Sequence, residues 1–369
     1  MTNQKIRAIG AGVLVTVWAA LTFCCWFLPA RQFSDAERRE LEQFPELSGQ
    51  TLLSADFMSK FEGYTLDQFP LRDSFRQIKS LFHYYALQQM DNNDIYIADG
   101  YAAKMEYPLQ QNKFDRAMRQ YNLFYNTYLK DSDCKVYTTV IPDKGYYLAP
   151  QTGHLQMDYQ KVFSTVEGLS WATYVDITDC LEISDYYRTD THWRQEAIVP
   201  VAQKLCEAMG VQIPQEGDFT PTAVEKPFYG VYYGQAALPM NAETMYLMES
   251  EILNEAVVYN YLTWDATEVY DENMLQSKDL YDVFLSGPQP LLIIDNPNAT
   301  TDKELVIIRD SFGSSLSPLL LHSYAKVTLV DIRYIGIPTL KNYLSFTDQD
   351  VLFAHSTLVL NMGISQSGN

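Results

Sequence analysis

The segment 304–361 alternates short buried runs with helical ones, and this restricts the chain's fold more than any other feature. Glu304–Arg309 holds four consecutive apolar residues, Leu305 to Ile308, and predicts a buried strand. Gly313–His322 predicts a helix, Lys326–Asp331 a strand, Ile337–Ser345 a helix and Thr357–Asn361 a strand. Strands alternating with helices imply a parallel sheet with helices on its faces. Lys135–Ile141 reads as another buried strand, followed by the loop Pro142-Asp143-Lys144. Helices are expected over Asn112–Lys130, Asp158–Val166 and Arg194–Met209, the last kinked at Pro200 and closed by Gly210. Thr173–Ile177 and Leu291–Asp295 read as strands.

The flanks are less regular. Ile95–Tyr101 contains Asp99-Gly100 and predicts a hairpin. Ser34 with Glu37 reads as a capping box opening a short helix, and Ser54 as the cap of a helix to about Leu66. The stretch Thr65–Asp73 interrupts it, and another helix runs to Gln89. Asp67, Arg72 and Asp73 are expected to tie these helices together. Residues 217–290, rich in Tyr, Met and acids, show no clear period and read as an insertion or small β-rich accessory region. The expected architecture is a three-layer α/β core built from residues 112–210 and 290–369, with an N-terminal helical region packed on it.

Residues 8–28 carry no charge and follow Lys5 and Arg7. A helix of that length spans a bilayer, and basic flanks stay in the cytoplasm. The division expected is a cytoplasmic tail 1–7, an anchor 8–28, a juxtamembrane stalk 31–50 and an exported globular domain 51–369. A signal peptide cleaved after Leu28-Pro29-Ala30 is the alternative, and it exports the same domain. The net charge of −19 repels nucleic acid, so no nucleic-acid partner is expected. Outside the anchor, Cys134, Cys180 and Cys206 are an odd set without CxxC spacing. They form neither a disulfide framework nor a zinc site, although one bridge such as Cys134–Cys180 stays open. The five His lack metal-binding spacing, so no metal and no cofactor are expected. His83, His154, His322 and His355 read as structural.

Two segments carry chemistry. In Ile308-Arg309-Asp310-Ser311-Phe312-Gly313, a polar Asp-Ser stands at the carboxyl end of a buried strand, where α/β sheets build their sites. A Ser311 hydroxyl there lies by a helix N-terminus, whose free amides can stabilise an oxyanion. The alternative is that Ser311 only caps the helix. In Asp190-Thr191-His192-Trp193, residues two apart in an extended segment face the same way. Asp190 can then fix the tautomer of His192 and support its positive form, as a general base requires. The alternative is a core histidine beside Trp193, with Asp190 as an N-cap. Together the segments supply nucleophile, base and orienting acid.

These two segments resemble the DHHW family and the related alginate O-acetyltransferase proteins, which are SGNH-hydrolase-like. The resemblance extends to Phe33-Ser34 near Glu37-Arg38-Arg39, to Asp67-Gln68-Phe69-Pro70 with Arg72-Asp73, to Pro142-Asp143-Lys144 and to Asp331-Ile332-Arg333-Tyr334. It implies Ser311 as nucleophile, His192 as base and Asp190 as its partner, with the Asp/His block before the serine block. Two positions depart from the pattern. Arg309 replaces the usual Gly before Asp-Ser, where it would crowd the turn or aim a charge at substrate. Thr191 replaces the second position of DHHW, with its side chain turned away. The SGNH pattern also expects oxyanion or substrate contacts after the next two strands, for which Arg333, Tyr334 and Asn361 are the candidates. The alternatives are a surface ion pair for Arg333 and a turn for Asn361. Lys144 stays ambiguous, and contact with an acidic glycan is its functional reading.

The resemblance and the three groups imply an extracytoplasmic O-acetyltransferase acting on a cell-surface or secreted polysaccharide. The alternatives are a carbohydrate esterase using the same residues and a non-catalytic glycan-binding or assembly protein. A transferase outside the membrane needs an acetyl donor, and a multispanning membrane acyltransferase is the partner expected to supply it.

Overall fold

The structure, a computed structural model, describes residues 3–34, 36–37 and 39–365. Arg38 of the Glu37-Arg38-Arg39 motif and the first two residues of the expected tail lie outside the described residues. The chain divides into two compact units, residues 1–92 with 234–239 and residues 93–233 with 240–369.

The first unit opens with helix α1, Asn3–Phe27. Its 21-residue Arg7–Phe27 portion contains an 18-residue stretch of mean hydropathy 2.0 and is long and apolar enough to cross a membrane. Phe33–Ser34 then pairs antiparallel with Arg39–Glu40. The Ser34 hydroxyl accepts from the Glu37 amide at 3.2 Å, but it closes a turn of this hairpin instead of opening the expected helix. Helices α2, Asp56–Asp67, and α3, Arg72–Leu81, follow. Helix α2 starts after Ala55 in the left-handed region, and Ser54 donates to the Asp56 carboxylate at 2.7 Å instead of capping. Asp67 of α2 meets Arg72 of α3 at 3.5 Å, the expected tie between the helices, and it also holds the preceding hairpin segment. Its carboxylate accepts from Arg39 at 2.5 and 2.8 Å and from the Glu42 amide at 2.9 Å.

The second unit contains an eight-stranded sheet among its described residues. Its strands are β1 Lys135–Ile141, β2 Thr173–Tyr174, β3 Val257–Asn260, β4 Ala266–Thr267, β5 Leu291–Asp295, β6 Glu304–Arg309, β7 Lys326–Val330 and β8 Asp350–Ser356. They lie in the order β4-β3-β5-β7-β6-β8-β1-β2. The run from β7 to β2 is parallel, while β5, β3 and β4 add an antiparallel edge. The sheet is therefore mixed. Residues between 217 and 290 supply two of its edge strands, so they are built into the fold.

Alternation along β6 explains the layering. Leu305 and Ile307 join a core beneath α7 (Val199–Met209) and α8 (Phe312–Leu320), with Trp193 and Phe312. Val306 and Ile308 join the opposite core with residues of α4 (Gln111–Phe124), α6 (Tyr159–Glu167) and α9 (Thr357–Met362). Helix α5, Lys144–Thr152, follows β1.

Several expectations shift. Thr357–Asn361 is helical, and the strand is the preceding Asp350–Ser356. The reason lies in Ser356, whose hydroxyl accepts from the Val359 amide and caps α9. Pro200 does not kink its helix. It sits at the first turn of α7, where no amide is missed. The Ile95–Ala98/Tyr101–Lys104 hairpin turns through Asp99 and Gly100 at φ 50° and 83°, the conformation that Asp-Gly favours. Cys134 and Cys180 are unpaired, as are the other three cysteines.

Candidate active site

Strand β6 ends at Arg309, and Asp310-Ser311 form the turn into α8. Ser311 occupies the N-cap position with helical backbone (φ −63°, ψ −22°), and its side chain caps nothing. Asp310 does the local work instead. It is fully buried, and its carboxylate accepts from the Phe312 amide at 3.0 Å and from the Ser356 amide and hydroxyl, both at 2.7 Å. This fastens the end of β6 to the end of β8 and leaves the Ser311 hydroxyl free to point elsewhere.

It points to His192. Ser311 Oγ lies 2.8 Å from His192 Nε2, and His192 Nδ1 lies 2.6 Å from Asp190 Oδ1. A carboxylate can only accept, so Nδ1 carries the hydrogen. Nε2 of the neutral ring is then the acceptor facing the serine hydroxyl. The His192 amide also donates to Asp190 Oδ1 at 3.0 Å, as the two-residue spacing suggests. Asp190 and His192 are buried, while Ser311 is half-buried and reachable from solvent. The amide of Ser311 donates to no acceptor among the described residues.

The His192 ring and its Asp190 partner are held from several sides. Tyr281 stacks on the His192 ring with centroids 3.8 Å apart and planes at 6°, and Phe312 flanks it at 4.9 Å. The Tyr281 hydroxyl and Trp193 Nε1 meet the Ser315 hydroxyl at 2.8 and 2.9 Å. The Val231 amide donates to Asp190 Oδ2 at 2.9 Å. Glu243 accepts from the Arg188 amide at 2.7 Å and from the Thr189 amide and hydroxyl at 2.8 Å. Tyr232 donates to the Thr191 hydroxyl at 3.1 Å, so Thr191 is engaged and not merely turned away. Gly230 approaches so closely that a Cβ there would lie 2.2 Å from Asp190 Cβ. Gly230, Val231, Tyr232, Glu243 and Tyr281 all come from the region read as an accessory insertion. The sequence held no signal for this role beyond its many Tyr and acids.

The other expected contacts are mostly committed within the protein. Asn361 is buried in α9. Its Oδ1 accepts from the Gln110 amide at 2.7 Å and its Nδ2 donates to Glu106 at 2.8 Å, so its amide braces a loop and is not offered to an oxyanion. Arg333 is neither at the surface nor unpaired. It grips the buried Asp331 with Nε at 2.9 Å and Nη2 at 2.6 Å, which raises its pKa against the opposing effect of burial. Tyr334 lies over this guanidinium at 5.3 Å and is exposed.

Arg309 aims no charge at solvent. It is fully buried, its Nη1 donates to Ser314 Oγ at 3.1 Å, and burial lowers its pKa. It does not crowd the turn either, because a Cβ on Gly313 would come 2.8 Å from Arg309 Cβ and none is there. Lys144 is also buried, with Nζ on the carbonyls of Tyr187 and Arg188 at 2.9 and 3.2 Å. Burial pushes its pKa down to about 7. Its reach is to the segment that carries Asp190, not to a glycan.

Next to Lys144, Asp143 caps α5 and takes hydrogen bonds from Tyr159, Thr357 and the Gly145 amide. Burial nevertheless pushes its carboxyl up to about 6. A folded-state pKa above the unfolded one means that the native state holds the proton more tightly. Its stabilising contribution is complete below about pH 4 and is lost as pH rises to about 6, by on the order of 3 kcal/mol. Urea midpoints followed from pH 4 to 6.5 should show this downward slope in the native chain and not in Asp143→Asn.

No family model and no curated protein matches the sequence. Solved structures do match the fold. A DHHW family protein from Eubacterium siraeum is 22% identical, covers 74% of this chain and 95% of its own, and superposes with a TM-score of 0.57. PatB1 of Bacillus cereus is 18% identical over 74% of this chain and 97% of its own, with a TM-score of 0.59. PatB1 with a sulfonyl adduct gives 16%, 74%, 98% and 0.58. The chain shares the three-layer α/β fold of these proteins.

Proposed function

We propose that this chain is an extracytoplasmic serine-dependent O-acetyltransferase for a cell-surface or secreted polysaccharide. The observation that carries the proposal is the unbroken line from Ser311 Oγ through His192 to Asp190, at 2.8 and 2.6 Å. His192 takes the hydroxyl proton as Ser311 attacks the carbonyl carbon of an acetyl donor. Asp190 keeps Nδ1 protonated and stabilises the imidazolium. The Ser311 amide, at the N-terminus of α8, is the donor available to the developing oxyanion. Collapse expels the donor's alcohol or thiol, which takes the proton from His192 and leaves an acetyl ester on Ser311. A sugar hydroxyl then gives its proton to His192 and attacks that ester, restoring the serine.

The membrane-length helix α1, with Lys5 and Arg7 before its apolar run, supports an anchor with the second unit outside. A multispanning membrane acyltransferase would be the partner that delivers acetyl groups to that side. Ser311 is half-buried and not sealed from water, a competing acceptor, which makes esterase activity the second reading.

The detergent-solubilised chain treated with an activated acetyl ester or a sulfonyl fluoride should carry one modification, on Ser311, by peptide mass spectrometry. It should be absent from Ser311→Ala and His192→Ala. An unmodified Ser311 in a folded chain would overturn the proposal. Release of the acetyl group to sugar hydroxyls faster than to water separates the transferase from the esterase.

A further inference from the structure

Helix α3 and the π turn Phe82–Ala86 that prolongs it present the wrong face to water. Two of its arginines face inward. The side chains of Arg72 and Arg76 are only 13% and 18% exposed and reach Glu37 at 2.5 and 3.3 Å. Arg76 also donates to the Gly234 carbonyl at 3.0 Å, and the buried Ser80 hydroxyl accepts from Asn92 at 2.8 Å. The apolar residues face outward: Leu71 is 69% exposed, Phe75 45%, Ile78 61%, Phe82 56% and Tyr85 66%. Steps of four and three residues align them in one stripe. A helix in contact with water carries the reverse arrangement, and a contiguous exposed apolar stripe marks a surface that something apolar covers.

The start of the helix indicates what covers it. Arg31 stands four residues past Phe27, the last residue of the membrane-length helix. Its amide donates to Gln68 at 2.8 Å, its carbonyl accepts from Gln68 at 2.8 Å, and its guanidinium pairs with Asp73 at 3.2 Å. Gln68 caps α2, and Asp73 lies in the first turn of α3. About 14 Å of chain at most and one arginine side chain therefore separate the end of α1 from the start of the stripe.

We infer that the stripe Leu71, Phe75, Ile78, Phe82 and Tyr85 lies on the lipid surface of the bilayer that holds α1. Phe75, Ile78 and Phe82 enter the boundary between headgroups and acyl chains, where amphipathic helices bind. Tyr85 sits at the level that aromatic rings with a polar end prefer. Lys79, exposed on the flank, reaches lipid phosphates. With a net charge of −19 the chain gains no attraction to an anionic surface, so apolar contact is what holds this helix there. The inference rests on reading α1 as a retained anchor.

The test uses the full chain in liposomes of phosphatidylcholine and phosphatidylglycerol, with photoreactive p-benzoylphenylalanine at position 75, 78 or, as a control, 130. Lys130 is exposed and lies in the other unit. Lipid adducts at 75 and 78 at least tenfold above those at 130 are expected, and Ile78→Glu should lower the yield at 75 severalfold. Lipid adducts no higher than at 130, in a chain that resists carbonate extraction, would overturn the inference while leaving the anchor standing. Adducts to protein alone would overturn it too, because a second copy or another membrane protein would then cover the stripe. N-terminal sequencing reports separately on the anchor. If α1 proves to be cleaved, the inference falls with the anchor.

Discussion

Ser311→Ala and His192→Ala are each expected to slow acetyl transfer by about 10⁴- to 10⁶-fold, and the double variant to be no slower than either. A serine hydroxyl is a poor nucleophile until a base takes its proton. Without Ser311 there is nothing for His192 to activate, and without His192 the hydroxyl at 2.8 Å stays inert. The losses therefore overlap and do not multiply. The comparison is clean, because the Ser311 side chain caps nothing and its removal leaves the Asp310 anchorage intact. Second-order rate constants with an acetyl ester, measured on all three variants, decide the matter. Losses that multiply in the double variant would mean that the two groups act separately, and the proposed mechanism would fall.

The second large effect is expected at a residue without a side chain. In Gly230→Ala the new Cβ would lie 2.2 Å from Asp190 Cβ, 2.3 Å from its Cα and 2.4 Å from its amide nitrogen. Two of these atoms belong to the backbone, so a rotamer change cannot relieve the clash and the segments must separate. Separation breaks the bond from the Val231 amide to Asp190 and shifts the carboxylate that orients His192. Replacing a triad acid costs about 10⁴-fold where it has been measured, and a displaced acid is expected to cost about 10³-fold or more in the rate of Ser311 acetylation here. Gly217, where an added methyl would meet nothing within 4 Å, is the matched control, and Gly217→Ala should change the rate less than twofold. Near-native acetylation by a folded Gly230→Ala chain would show that the approach of this loop to Asp190 does not matter.

Much of the molecule is readable from local chemistry. Four apolar residues in a row specify β6, Asp99-Gly100 specifies its hairpin turn, and Gly210 closes α7 as expected. The two-residue spacing that brings Asp190 to His192 is of the same kind. Non-local partners are harder to read. A sequence displays the charge of Lys144 but not the Tyr187 carbonyl, 43 positions away, that already occupies it. Arg309 looks like an obstacle until Gly313 is seen beneath it. Thr357–Leu360 is apolar enough for a strand, but Ser356 caps it as a helix that Gly363 closes in the left-handed region. Residues 217–290 have no period because their role is to reach distant residues: Glu243 spans 55 positions to Arg188, and Val231 spans 41 to Asp190.

Strand β6 has a further consequence for how the chain comes into being. It lies between β7 and β8, and both of its neighbours follow it in the chain. During synthesis the histidine segment emerges first, the residues that clasp it next, and the serine 119 positions after the histidine. Even then the strand that leads to the serine gains its first partner only with Lys326–Val330 and its second only with Asp350–Ser356. A polypeptide clipped before residue 326 thus holds the Asp190–His192 pair while the strand that leads to Ser311 lacks both of its neighbours. On the proposed mechanism a half-finished chain therefore lacks acetyl-transfer activity without any separate inhibitor.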